Sequence, residues 1–299
     1  MTDFRRILCP IDFSDASKRA LEHAVAVASW FKSQVTGLHV TRPEFVFEPP
    51  ILFADRGGKA LPVDRDQLFI RLNDFMQPTV GARVPWRARL EEGVPAERVL
   101  DCARSLPADL IVMGTHGRSG FEHLVLGSVT EKVLRNAKCP VMTVPPLSGT
   151  AGRLPFKRLL CAVDFSAASI EALDVALSLA EEADANLTVM NVVDWPDDET
   201  FLVEAFESDD MQKQLETQTA QRLEALIPDE ASVWCRPSTK VVVGKPHREI
   251  VTAANELTAD LIVVGVHGRN VVDLTLFGST TNQVVRRASC PVLTIRAKH

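Results

Sequence analysis

The chain has 299 residues, 46% of them hydrophobic and 24% charged, with a formal net charge of −6. Such a composition suits a globular protein of about two ordinary domains, and the acidic balance argues against a general nucleic-acid binder, which needs a basic surface to face phosphates. No apolar run approaches the ~18 residues that cross a bilayer, and "MTDFRRILCPIDF" has no long apolar stretch before its first charges, so neither a membrane span nor a secretory signal is expected.

The first element is the apolar run "RRILCPI", read as a strand covered on both faces and ending at Asp12. Leu21, Ala24, Val25 and Ala28 then fall at the spacing of one buried helical face, with Ser14 or Asp15 as its N-cap. A second strand follows at "QVTGLHV" (34–40). The stretch 41–66, with Phe45, Phe47, Ile51 and Phe53, reads as a lid or variable loop. Gly93-Val94-Pro95 opens a helix carrying Val99, Cys102, Ala103 and Leu106, the proline suiting an early helical position. The strand "DLIVMG", a glycine-rich stretch, a further helix and a last strand at 140–144 complete the half.

The chain then repeats itself. "RILCPIDFSDAS" (6–17) returns as "RLLCAVDFSAAS" (158–169), "ADLIVMGTHGR" (108–118) as "ADLIVVGVHGR" (259–269), and "CPVMTV" (139–144) as "CPVLTI" (290–295). A nearly constant offset from end to end means one whole domain duplicated. The seam "PPLSGTAGRLP" (145–155) has linker composition, which places the domains at 1–147 and 154–299. Ser166 and the set Leu173, Ala176, Leu177 and Ala180 repeat the first helix, "NLTVMNVV" (186–193) the second strand, and Gly244-Lys245-Pro246 the later helix start. The acidic stretch 194–210 has no likeness to 41–66 and reads as a lead into a helix. Alternating strands and helices predict two tandem α/β domains of the Rossmann-like, doubly wound parallel-sheet kind, with right-handed crossovers. Ligands of such sheets bind beyond the carboxyl ends of the strands, where strand order reverses. The strand ends at Asp12 and Gly114, and at Asp164 and Gly265, are therefore expected to be neighbours.

The six cysteines at 9, 102, 139, 161, 235 and 290 form no C-x-x-C pair, and most sit in apolar segments. That pattern suits small buried packing residues in a reducing compartment, the cytoplasm, rather than a disulfide framework. The histidines show no shared ligand spacing, so no metal site made of side chains alone is expected.

The glycines carry the chemistry. Gly114, two residues, Gly117, nine residues and Gly127-Ser128 recur as Gly265, two residues, Gly268, nine residues and Gly278-Ser279, while Gly120 becomes Val271. Gly114 and Gly265 end strands where a side chain would fill the crevice, and Gly117 and Gly268 permit tight turns. Gly127-Ser128 and Gly278-Ser279 open helices whose N–H groups and positive dipole end suit a phosphate. A leucine at Gly127 is accordingly expected to block the first site and leave the fold intact. Neither a Walker loop nor a dinucleotide G-x-G-x-x-G is present.

With the openings "CPIDFS" and "CAVDFS" and the endings "CPVMTV" and "CPVLTI", this frame resembles the ATP-binding branch of the universal stress protein family, over nearly the whole chain. The resemblance implies an adenine nucleotide alpha hydrolase-like fold and ATP or AMP as ligand, with Mg²⁺ carried by the phosphates. Asp12 and Asp164 would lie near adenine and ribose, and the backbone of Val40 and Val192 would face adenine. Gly114, Gly117, Gly127, Ser128 and Val129 would hold ribose and phosphates in the first site, and Gly265, Gly268, Gly278, Ser279 and Thr280 in the second. It further implies that the halves pair across their last strands as an internal pseudo-two-fold dimer; whether that pair dimerises again stays open.

Plainer readings stand beside these. Ser128-Val129-Thr130-Glu131 has the form of a capping box, Asp12 and Asp164 suit caps of the following helix, and His116 and His267 suit loop hydrogen bonding better than catalysis. Arg118 and Arg269 fit a phosphate or an ordinary surface equally. A nucleotide-binding stress sensor or regulator with little turnover is the expected function. A slow ATPase or self-phosphorylating protein, or a ligand-free scaffold, are the alternatives. No placed base, arginine finger or triad can be named for an efficient enzyme.

Overall fold

The computed structural model describes residues 3–41, 64–115, 126–146, 156–194, 209–266 and 278–297. The first half runs β1 (Arg6–Pro10), α1 (Asp15–Phe31), β2 (Gln34–Thr41), α2 (Arg65–Val80), β3 (Trp86–Glu92), α3 (Pro95–Ser105), β4 (Leu110–Gly114), α4 (Ser128–Asn136) and β5 (Val141–Val144). The second runs β6 (Arg158–Ala162), α5 (Ala167–Ala183), β7 (Asn186–Val193), α6 (Asp209–Glu224), α7 (Ala231–Trp234), β8 (Ser238–Val243), α8 (Pro246–Glu256), β9 (Leu261–Gly265), α9 (Ser279–Arg287) and β10 (Val292–Ile295). Phe45, Phe47, Ile51 and Phe53 fall outside the described residues.

All these strands join one sheet in the order β3-β2-β1-β4-β5-β10-β9-β6-β7-β8. Pairing is parallel throughout except at the centre, where β5 and β10 run antiparallel with Met142 opposite Leu293. The two halves are thus doubly wound sheets fused edge to edge about a pseudo-dyad, as the duplication implies. Strand order reverses between β1 and β4, paired through Ile7 and Leu110, and again between β6 and β9, paired through Leu159 and Leu261. The outer edges are β3 and β8; β3 reads "WRARLEE", whose charges discourage pairing with a further strand.

Helices cover both faces. Leu21, Leu72, Leu173 and Leu223 bury α1, α2, α5 and α6 on one face, while Val99, Val133, Ile250 and Val284 bury α3, α4, α8 and α9 on the other. Ser14 and Ser166 cap α1 and α5 by accepting from the Ser17 and Ser169 N–H groups, at 3.2 and 3.3 Å. Pro95 and Pro246 occupy the first position of α3 and α8, where the missing N–H costs nothing. All six cysteines are unpaired; burial pushes the Cys139 thiol up to about 11 and that of Cys290 to about 12.

The central seam is held by buried side chains and by a two-fold related pair of hydrogen bonds. The Thr143 hydroxyl donates to the Val292 carbonyl (3.3 Å), and that of Thr294 to Val141 (3.0 Å). Beside them Arg286 of α9 reaches Glu131 of α4 at 3.5 Å, and Arg296 donates to the carbonyls of Leu134 and Arg135.

A second contact between halves sets a pH dependence. His23 on α1 is buried beside Phe156, ring centroids 6.1 Å apart, with Nδ1 2.8 Å from the Arg19 carbonyl. Burial, aided by the Arg19 charge, lowers its proton affinity below the usual imidazole range. The unfolded chain therefore binds a proton at this residue more readily than the folded one, and its contribution is complete above about pH 6.5 and lost as pH falls through the folded value. The urea midpoint is expected to drop from pH 7.5 to 5.5 by more in the native chain than in His23→Gln. Equal drops in the two proteins would assign the dependence elsewhere.

Candidate functional site

The crevice in each half lies beyond the strand ends at the reversal point. Past β1 the chain is anchored by Ile11 N–H to the Leu38 carbonyl (2.7 Å), and past β6 by Val163 N–H to Met190 (2.8 Å). His39 and Asn191, at matching places, donate to the carbonyls of Ile11 and Val163 at 2.7 and 2.6 Å. Asp12 and Asp164 come next. Each carboxylate accepts from the backbone N–H and hydroxyl of the serine two residues on, Ser14 or Ser166. The aspartates thus brace the serine caps; they do not cap the helices themselves.

Val40 and Val192 sit near the ends of β2 and β7, past the last residues that pair with β1 and β6. Their crevice-side backbone is therefore outside that ladder, while the other side pairs with Glu91 or Val242.

The glycine end is built from backbone approaches. Gly127 N–H donates to Thr115 (2.8 Å) and Gly278 N–H to Val266 (3.1 Å), which ties each glycine to the residue just past β4 or β9. The hydroxyls of Thr130 and Thr281 donate to the Gly114 and Gly265 carbonyls at 2.9 and 2.7 Å. These threonines pin each helix to its strand end, a role the sequence reading did not assign, although "GSVT" and "GSTT" keep the threonine at one spacing.

The capping box expected at Ser128 does not form. Gly127 and Gly278 are the N-caps, without a side-chain capping bond, and Ser128 and Ser279 are the first helical residues, exposed. Ser128 stands one residue inside the helix, so the Glu131 N–H that a capping box would give to a serine bonds the Gly127 carbonyl instead, and the Glu131 carboxylate pairs with Arg135 at 2.8 Å. The first intrahelical bonds arrive at Glu131 and Asn282, so the N–H groups of Ser128, Val129 and Thr130, and of Ser279, Thr280 and Thr281, have no intrahelical acceptor.

In the second half these parts enclose a cavity of about 670 Å³. Asp164, Val192, Gly265, Gly278, Ser279 and Thr280 all line it, within the size range of small-molecule sites. Its wall also includes Phe165 and Arg222, which sequence reading did not select. At the rim Lys245 lies 4.0 Å from Asp194, and burial with the nearby Arg287, Arg248 and Lys245 charges lowers the proton affinity of His247. The first half sets Asp12, Val40, Gly114, Gly127, Ser128 and Val129 at the equivalent points of its fold. Gly117, Gly268, His116, His267, Arg118 and Arg269 lie outside the described residues. Among the described residues no three His, Cys, Asp or Glu side chains cluster as for a metal, and no helix is long and apolar enough to cross a membrane.

Comparison with known proteins agrees with this architecture. Residues 3–145 and 155–296 each match the Universal stress protein family. A universal stress protein of Methanocaldococcus jannaschii is 33% identical over 141 residues, 47% of this chain and 82% of its own length. One from Mycobacterium tuberculosis is 26% identical over 265 residues, 88% of this chain and 87% of its own. The crystal structure of a universal stress protein from Archaeoglobus fulgidus superposes with a TM-score of 0.65 at 21% identity, over 98% of each chain. Two successive matches that together span almost every residue leave one conclusion: the chain belongs to the universal stress protein family, as a tandem two-domain member.

Proposed function

We propose that the chain is a cytoplasmic stress-response protein that binds an adenine nucleotide, ATP or AMP, as a sensor or regulator with little or no turnover. Its units are residues 1–147 and 154–299. The observation that carries this reading is the second crevice, where an aspartate, a strand-end backbone and an open helix N-terminus line one cavity. The phosphates would meet the N–H groups of the Ser128–Thr130 and Ser279–Thr281 turns and the hydroxyls of Ser128 and Ser279, where backbone donors and helix dipole favour anions. Adenine and ribose would lie toward Asp12 and Val40, or Asp164 and Val192. A Mg²⁺ ion would ride on the phosphates. The unpaired, mostly buried cysteines fit a reducing compartment.

Little turnover is favoured because Asp12 and Asp164 already accept from Ser14 and Ser166. A general base must instead stand ready to take a proton from the attacking water. The test is direct. Protein purified without added nucleotide is denatured and its supernatant chromatographed, and the native protein is melted with and without ATP and AMP. Co-purifying adenine nucleotide, or a rise in melting temperature, is expected. Absence of both would sink the reading, and steady phosphate release from ATP would replace the sensor with an ATPase.

A further inference from the structure

Each crevice carries one more duplicated device, an arginine whose guanidinium carbon lies over the ring of a strained phenylalanine. Arg71 of α2 places its guanidinium carbon 4.3 Å from the Phe13 ring centroid, and Arg222 of α6 stands 4.0 Å from that of Phe165. Phe13 and Phe165 have φ of 64° and 63°, the left-handed region that bulky side chains avoid. Such strain survives where the surroundings impose it, and it concentrates at functional sites. Both rings follow directly on Asp12 and Asp164, at the lip of the crevice. In the first half Phe13 is further wedged between His39 and Phe75, at centroid distances of 4.5 and 5.6 Å.

Neither arginine is held by a carboxylate among the described residues, so the ring contact orients it. In the second half Arg222 and Phe165 both line the cavity. Leu223, next to Arg222, is buried on the α5 face of the sheet, whereas Val284 of α9 is buried on the other. Arg222 and the Ser279–Thr281 turn therefore stand on opposite walls. An anion seated at α9 presents the far end of its ligand to Arg222. A guanidinium is planar and weakly hydrated, and one held over the Phe165 ring at the cavity wall can offer its plane to a flat heteroaromatic ring.

Resting on the nucleotide reading above, we propose that the Phe13–Arg71 and Phe165–Arg222 pairs are stacking platforms for the nucleobase, and that they set the preference for a purine over a bare phosphate. They contact the base through the guanidinium plane. The phosphates are left to the helix N-terminus.

The experiment is titration calorimetry of the full chain with ATP, adenosine and inorganic tripolyphosphate, for the native protein, Arg222→Ala, Arg222→Lys, and the double variant Arg71→Ala with Arg222→Ala. Arg222→Ala is expected to weaken ATP and adenosine alike by roughly tenfold at the second site, the scale of one lost base stack. Tripolyphosphate binding is expected to be unchanged. Arg222→Lys keeps the charge and loses the plane, so it should behave like the alanine variant. The double variant should weaken every base-containing ligand at both sites. The melting temperature should barely move, because an exposed cation–ring pair contributes little to folding.

Three results would overturn the platform alone: ATP binding indifferent to Arg222→Ala, full affinity in Arg222→Lys, or loss of tripolyphosphate together with ATP. A fall in melting temperature with loss of all three ligands would mark the pair as scaffolding and also overturn it. If the native chain binds neither ATP nor adenosine, the nucleotide reading and the platform fall together.

Discussion

Gly278→Leu is expected to abolish nucleotide binding in the second crevice and to cost about 1–3 kcal/mol of stability, the usual range for a side chain forced into occupied space. An ideal Cβ at Gly278 would lie 2.6 Å from the Val266 carbonyl oxygen. That oxygen is backbone at the end of β9 and accepts the Gly278 N–H at 3.1 Å, so it has no rotamer by which to withdraw. The dihedrals, φ −51° and ψ 137°, suit any L-residue, so contact and not conformation excludes the side chain. Relief of the contact must move Gly278 off Val266, and with it the first turn of α9, whose N–H groups face the cavity. Calorimetry should show one site fewer than in the native chain, with a lower denaturant midpoint. Unchanged stoichiometry would refute the idea. Gly127 makes the same approach to Thr115, at 2.8 Å, so a leucine there should also cost stability, contrary to the intact fold expected from sequence.

Gly265 shows how far the sequence carries such an argument. A glycine at a strand end, repeated in both halves, suggests room kept for a ligand. The ideal Cβ points instead at the backbone of the first turn of α5, 2.8 Å from the Ser169 nitrogen and 2.9 Å from the Ala168 carbonyl carbon. The glycine lets α5 lie close against β9, and the crevice benefits at second hand. A motif records that a position is restricted; only the packing says by what.

The duplication, the parallel order and the helix starts at Pro95 and Pro246 were legible because each leaves a periodic or punctuated trace in the chain. The elements passed over, α2 with β3 and, in the second half, β8, leave weaker ones; α6 is expected from sequence only as the helix that the acidic stretch leads into. β3 is a half-exposed edge strand with charges at Arg87, Arg89, Glu91 and Glu92, so its alternation is not that of a buried strand. α2 buries only Leu72, Met76, Thr79 and Val80, fewer than an amphipathic stripe needs to stand out, and Pro78 lies within its last turn. The platform arginines were hidden for the same reason, yet "RL" at 71–72 and 222–223 keeps the repeat's register inside otherwise unlike segments. Asp109 and Asp260 open the repeated "DLIV" runs for a structural cause: each carboxylate accepts the N–H of Arg6 or Arg158 at 2.9 Å, setting β4 and β9 in register with β1 and β6.

The larger effect on folding is expected at the seam. Leu293 is fully buried at the middle of β10, paired with Met142 across the pseudo-dyad and with Val263 within its own half. Leu293→Asp removes a core side chain and buries a carboxylate within a cluster of apolar side chains. The loss should exceed about 4 kcal/mol, comparable with the whole stability of many domains. Thr294→Val is the control: it deletes one hydrogen bond to Val141, at 3.0 Å, and should cost only about 1 kcal/mol. The damage from Leu293→Asp should not stay in the second half. Met142 and Val144 of the first half are buried at the same junction, and β5 has no other antiparallel partner among the described strands. Amide exchange read residue by residue in both halves decides the matter. Protection lost together in β1–β5 and β6–β10 means that the fused sheet folds as one unit. A native-like first half beside a melted second would mean that the seam joins two independent domains.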